Sequence, residues 1–145
     1  MADEENSMDM TETEREEFLA GVHVGILAIQ RTDKGPLALP IWYQFVDGEV
    51  IIGMGGNSLK AKLLRAAGRA TMTVQTETPP YKYVSVEGPV EIVAEQRDDF
   101  EMASRYLGPE FGRWYADNNP STTESVIAHL QPERWISCDF GKATG

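Results

Sequence analysis

Ser58, Lys60, Lys62 and Arg65 follow a Gly55-Gly56-Asn57 break, inside a stretch that holds no acid. From Val50 to Thr76 the chain runs 27 residues without Asp or Glu, although it carries 23 of them. With Arg69 the stretch sums to +4, so the rest of a chain of net charge -10 sums to -14. A helix N-terminus offers unpaired N–H groups and a partial positive charge, which together seat an anion. Ser58 can donate a hydroxyl there, and Lys60 can reach the same anion from the first turn. Lys62 and Arg65 lie further along, and Arg65 can add a bidentate contact. The pattern fits the phosphate of a cofactor. The other reading of these residues is a capped surface helix with solvated cations. The lack of a neighbouring acid to pair with them favours binding.

Two aromatic groups come next. Trp42 and Tyr43, in Pro40-Ile41-Trp42-Tyr43, are adjacent, so on a strand one can line a pocket while the other packs into the core. Tyr81 and Tyr83 share one strand face, where a flat ring can stack or a second subunit can dock. Other chemistries lack their residues. There is no CxxC or HExxH, and His23 and His129 stand alone, so no metal site is expected. Ser58 has no base partner and no nucleophile-elbow context. Cys138 fits a small buried apolar residue. Asp98, Asp99 and Glu101 fit a solvated helix face. A chain whose side chains do not supply the chemistry fits one in which a redox cofactor supplies it.

The elements that must position these residues are legible from local signals. Thr11 and Thr13 each precede a Glu by three residues, a capping-box pattern that starts a helix ending near Gly21. Val22–Gln30, Leu37–Val46, Glu49–Met54, Arg69–Glu77, Tyr81–Ala94 and Arg134–Phe140 read as six strands. Pro40 marks a bulge or an edge, Asp47-Gly48 a hairpin turn, and Gly88-Pro89 an interruption. Leu59–Ala67 has a helical apolar period, with Ser58 or Asn57 as N-cap and Gly68 as terminator. Gln96–Leu107, Pro109–Asn118 and Ser121–Leu130 read as helices. Neighbouring strands joined by tight turns point to a small antiparallel barrel rather than a Rossmann sheet.

Composition narrows the partners. The 145 residues form one domain with an ordinary 41% hydrophobic content. An acidic chain with a pI near 4.6 does not suit nucleic acid. No apolar run is long enough to span a membrane. The Met-Ala-Asp-Glu-Glu start has no secretory apolar region, and a lone Cys fits the cytoplasm. Residues 1–13 read as an acidic, disordered tail before a domain over 14–145.

The order of "LPIWYQFVDGEV", "GGNSLKAKLLRAAGRATMTVQ", "PPYKYVSVEGPVEI" and "QPERWISCDFGK" resembles the pyridoxamine 5'-phosphate oxidase-like split β-barrels. Within them it resembles the small flavin and deazaflavin oxidoreductases, many of which use coenzyme F420. The resemblance implies a mainly β (α+β) fold: a six-stranded antiparallel split β-barrel with peripheral helices. It implies a homodimer with the cofactor in a groove between subunits. Ser58 and Lys60 match positions that hold the cofactor phosphate, with Lys62 and Arg65 nearby. Pro40, Ile41 and Trp42, and Gly53, Met54 and Gly55, match strands that pass along the ring. Tyr83 stands where the oxidase has a ring-contacting Gln, and Trp135 is a candidate pocket wall. The oxidase's C-terminal Arg/His segment has no counterpart, so vitamin B6 oxidation is not expected. The implied function is hydride transfer between F420 and a small conjugated organic substrate. FMN is the alternative cofactor, and a non-catalytic flavin or haem binder is the alternative class; haem would draw its axial ligand from His23 or His129.

Overall fold

The hairpins follow from their turn residues. Asp47 (φ 52°) and Gly48 (φ 79°) both take positive φ, the geometry a two-residue turn needs to match strand twist. That turn joins β3 (Gln44–Val46) to β4 (Glu49–Gly55). β1 (Gly25–Arg31) and β2 (Lys34–Ile41) pair through a turn with Asp33 at φ 59°. The computed structural model describes residues 8–95, 99–119 and 124–144. Around these hairpins lie α1 (Glu12–Ala20), α2 (Leu59–Ala67), β5 (Arg69–Gln75), β6 (Lys82–Ala94), α3 (Phe100–Asn118), β7 (Ser125–Leu130), β8 (Arg134–Asp139) and a final 3₁₀ turn, Phe140–Thr144.

The strands form one antiparallel array in the order β2-β1-β5-β6-β7-β4-β3, with β8 also on β6. Both ends are open, so the array is a split barrel and not a closed one. Pro36 and Pro40 lie on β2, an edge strand, where a missing N–H is tolerated. β6 is the seam. Lys82–Glu87 pair with β8, while Val90–Ala94 pair with β7 along the same strand. At the handover, the Gln131 N–H donates to the Pro89 carbonyl and the Glu133 N–H to the Glu87 carbonyl. A Cβ on Gly88 would stand 1.8 Å from the Gln131 carbonyl oxygen, so only glycine fits where these strands cross. The strand is continuous at Gly88-Pro89, and it is the partner that changes.

Eight strands replace the six expected. Leu37–Val46 divides into β2 and β3 at Trp42-Tyr43. Ser121–Leu130, expected as a helix, is strand β7 from Ser125 onward, with 121–123 outside the described residues. Most of β7 is buried, so the two-residue alternation that marks a strand is absent. The two helices expected over 96–118 are one element from Phe100, kinked at Gly108 (φ 86°, ψ 162°), with 96–98 outside the described residues.

The core gathers Leu27, Ile29, Tyr43, Val50, Ile52, Leu64, Met72, Val84 and Leu130 between the sheet faces and helices. Thr11 caps α1 as expected: its hydroxyl accepts from the Glu14 N–H, and its own N–H donates to the Glu14 carboxylate. The acidic tail expected over 1–13 lies outside the described residues as far as residue 7. From Met8 the chain is tied to β8. The Asp139 N–H donates to the Met8 carbonyl, the Met10 N–H donates to Ser137 Oγ, and Met10 is buried.

Candidate functional site

A cavity of about 680 Å³ opens between sheet and helices. Its floor is β4 and β7, paired through Gly53↔Ile127, Met54↔Val126 and Gly55↔Ser125. The end of β2 forms one wall through Pro40, Ile41 and Trp42; Lys60 stands at the α2 end, and Asp99, Met102, Ala103 and Tyr115 of α3 and its approach cover it.

Three glycines line or flank this floor for two different reasons. A Cβ on Gly56 would lie 2.4 Å from the Glu124 carbonyl oxygen, so Gly56 lets two segments touch. Gly55 would meet nothing within 4 Å, and Gly53 only Ile127 Cδ1 at 3.7 Å. Neither has positive φ. Glycine weakens a strand interior, and the fold requires it at neither position. Its effect is to leave the β4 backbone bare to the cavity, a cradle that side chains would fill.

Ser58 is the N-cap of α2: its hydroxyl accepts from the Ala61 N–H. Gly68 closes the helix in the left-handed conformation, as expected. Lys60, on the first turn, reaches the cavity. Arg65 Nη1 donates to the Gly56 carbonyl at 2.7 Å, bracing the turn that sets the helix start. Lys62 is exposed, and neither it nor Arg65 nor Ser58 lines the cavity.

Trp42 and Tyr43 separate as their adjacency predicts: Trp42 lines the cavity and Tyr43 is fully buried. The Tyr43 hydroxyl donates to the Leu19 carbonyl at 2.6 Å, fastening the end of α1. Burial, then the neighbouring Tyr106, pushes its pKa well above the ordinary phenol range, so it remains a donor. Trp42 stacks on Tyr106 with ring centroids 5.1 Å apart and planes 6° from parallel, and meets Tyr115 at 5.2 Å and 53°.

Seven expected residues meet at this cavity: Pro40, Ile41, Trp42, Gly53, Met54, Gly55 and Lys60. Tyr83 does not; it pairs with Gln75 and Cys138 on the other part of the sheet. Nor does Trp135, which packs edge-on to Phe45 beneath the Arg15 guanidinium. Sequence reasoning missed Asp99, Met102, Ala103, Tyr115 and the β7 residues. The sequence pattern puts Asp99 on a solvated face and Ser125–Ile127 on a helix. His23 Nε2 lies 2.9 Å from the Phe18 carbonyl, and its ring packs on Phe18. Burial lowers its pKa, which favours neutral imidazole. His129 Nδ1 pairs with Glu49 at 3.1 Å beside a second cavity. Among the described residues, no group of three or more His, Cys, Asp or Glu is placed to hold a metal ion.

Residues 11–139 match the pyridoxamine 5'-phosphate oxidase family. The chain belongs to that family. Membership supports an oxidoreductase kind of function. No curated protein matches the sequence. Among solved structures, a conserved hypothetical protein of Mycobacterium tuberculosis is 26% identical, with a TM-score of 0.77 over 97% of this chain and 92% of that one. An F420 reductase is 23% identical, with a TM-score of 0.60 over 83% of this chain and 94% of the other. The FAD and heme binding protein of Mycobacterium smegmatis is 16% identical, with a TM-score of 0.66 over 92% and 73%. The last two share the fold. Among the described residues, no helix is long and apolar enough to cross a membrane.

Proposed function

We propose that this protein is an oxidoreductase that holds coenzyme F420 over the bare β4 backbone, for hydride exchange with a small conjugated organic substrate. The observation that carries the reading is the pair Gly53 and Gly55, exposed without steric need on the cavity floor, within a cavity that Lys60 also lines. A flat ring needs such a floor, and a phosphate needs a cation near a helix N-terminus. A bound deazaflavin supplies hydride chemistry at its ring. The chain's part is to bind, orient and exclude water: Lys60 and the start of α2 hold the anionic group, Trp42 and α3 close the sides, and the apolar lining keeps solvent out.

The acid-free stretch with Lys60 and the exposed Lys62 suits a cofactor with an acidic tail, which favours F420 over FMN. The F420 reductase among the similar structures supports the same choice. A homodimer belongs to the reading, with the groove between subunits. It is supported by the exposed apolar run Val22, Val24 and Ile26 leading into β1, and by exposed Ile136. The test of cofactor identity is a comparison of binding constants for F420 and FMN with the purified protein. Tighter binding of F420 is expected. Tighter binding of FMN would move the assignment to the FMN branch of the same fold.

A further inference from the structure

Tyr106 and Tyr115 both touch Trp42, yet they lie nine residues apart on α3. In an unbroken α-helix that spacing is about two and a half turns and puts the two rings on opposite faces. The break at Gly108 removes the conflict. Its φ of 86° and ψ of 162° belong to a region that essentially only glycine enters, and Pro109 restarts the helix on a new path. A Cβ on Gly108 would meet nothing within 4 Å, so glycine is needed there for backbone direction alone.

The Tyr106 hydroxyl fixes the same place from below. It accepts from the Tyr43 N–H at 3.1 Å. With one proton to give, it donates to the nearer of two carbonyls, His23 at 2.7 Å rather than Tyr43 at 3.0 Å. The Tyr43 N–H and carbonyl lie in the Trp42-Tyr43 gap between β2 and β3, and the His23 carbonyl lies just before β1. Burial raises the Tyr106 pKa, keeping the donor protonated. The stack and the hydrogen bonds therefore fix one orientation of Trp42 at the cavity wall.

We propose that the broken helix α3 is the specificity element for the acceptor: Tyr106 is a positioning residue that sets Trp42, and Trp42, Tyr115 and Met102 form an apolar, largely aromatic part of the wall selective for flat, conjugated acceptors. This rests on the oxidoreductase reading of the cavity and adds the residues that select its acceptor. Tyr106 does not itself line the cavity; it acts through Trp42.

The probe is menadione, a neutral naphthoquinone, titrated against the purified protein while tryptophan emission is read, with F420 affinity measured in parallel. Saturable quenching is expected, lost in Trp42→Phe. Tyr106→Leu should weaken menadione about fivefold to tenfold, the scale of one aromatic stack, while F420 affinity holds. Tyr106→Phe, which keeps the stack, should retain most of the menadione affinity. Gly108→Ala adds no clash and should weaken menadione by misdirecting one ring. Quenching that survives Trp42→Phe, or equal menadione affinity in wild type, Tyr106→Leu and Gly108→Ala, would overturn the proposal. If Tyr106→Leu does not fold, Trp42→Phe and Gly108→Ala decide it. Failure to bind F420 or FMN would count against the cofactor reading alone, because menadione binding is read separately.

Discussion

At the scale of single residues, the cavity separates side chains that hold the fold from those that face a ligand. Arg65 is spent on the Gly56 carbonyl and Ser58 on the Ala61 N–H, whereas Lys60 faces the cavity. Lys60→Ala should weaken cofactor binding by about 1.5–3 kcal/mol, the worth of a charge-assisted hydrogen bond, and leave thermal stability nearly unchanged. Calorimetric titration and a melting curve check the two halves of that statement. The cap at Ser58 and the stop at Gly68 were legible in the sequence because capping is local chemistry. The Arg65–Gly56 contact was not, because nothing in residue order tells which cation turns back on the backbone. Tyr115 and Tyr106 carried no signal either. Both meet Trp42 from more than sixty residues away along the chain.

At the scale of elements, alternation in burial makes β5 legible, whereas β4, which does not alternate, is legible from the Asp47-Gly48 turn before it. β5 alternates buried and open residues and its sequence marks nearly the whole strand; β7 is mostly buried and its sequence suggests a helix instead. Gly88 reads as an interruption because a Gly-Pro pair marks a turn, and the strand crossing that uses it is non-local. Gly88→Ala should destabilise the protein by about 1–3 kcal/mol or prevent folding, since the added Cβ meets backbone rather than a yielding side chain. Gly35→Ala, with nothing within 4 Å, is the matched control in urea unfolding. α1 makes a second prediction. Lys142 first, then the Thr11 N–H, hold the Glu14 carboxyl down to about 2 from its usual 4.5. A carboxyl with a lowered folded pKa stabilises above its unfolded value, and that contribution disappears as pH falls from 4.5 toward 2. Glu14→Gln keeps the capping box but loses the charge. Its urea midpoint should fall below wild type at pH 6 and approach it near pH 2.5, within that window. An equal gap at both pH values would contradict the assignment.

At the scale of the whole molecule, the split barrel brings the ends of β2 and β4, the start of α2 and part of α3 around one cavity, although they span residues 40 to 115. The fold class was legible because a resemblance carried it, and the β4 half of the cavity floor and Lys60 were named with it. The α3 cover was not, because its kink and its contact with Trp42 depend on tertiary packing. Light scattering at working concentration should give twice the mass of the 16.1 kDa chain. A monomer that binds cofactor at full affinity would remove the intersubunit groove and leave the single-chain cavity. The account's central claim is that the bare β4 backbone seats the cofactor ring. Its most direct test is the F420 dissociation constant of Gly55→Leu against wild type, with circular dichroism to confirm the fold. The side chain would point into space that is open in the fold, so folding should survive while binding weakens at least about tenfold, as for overfilling a fitted site. A folded Gly55→Leu that binds F420 as tightly as wild type would contradict the account.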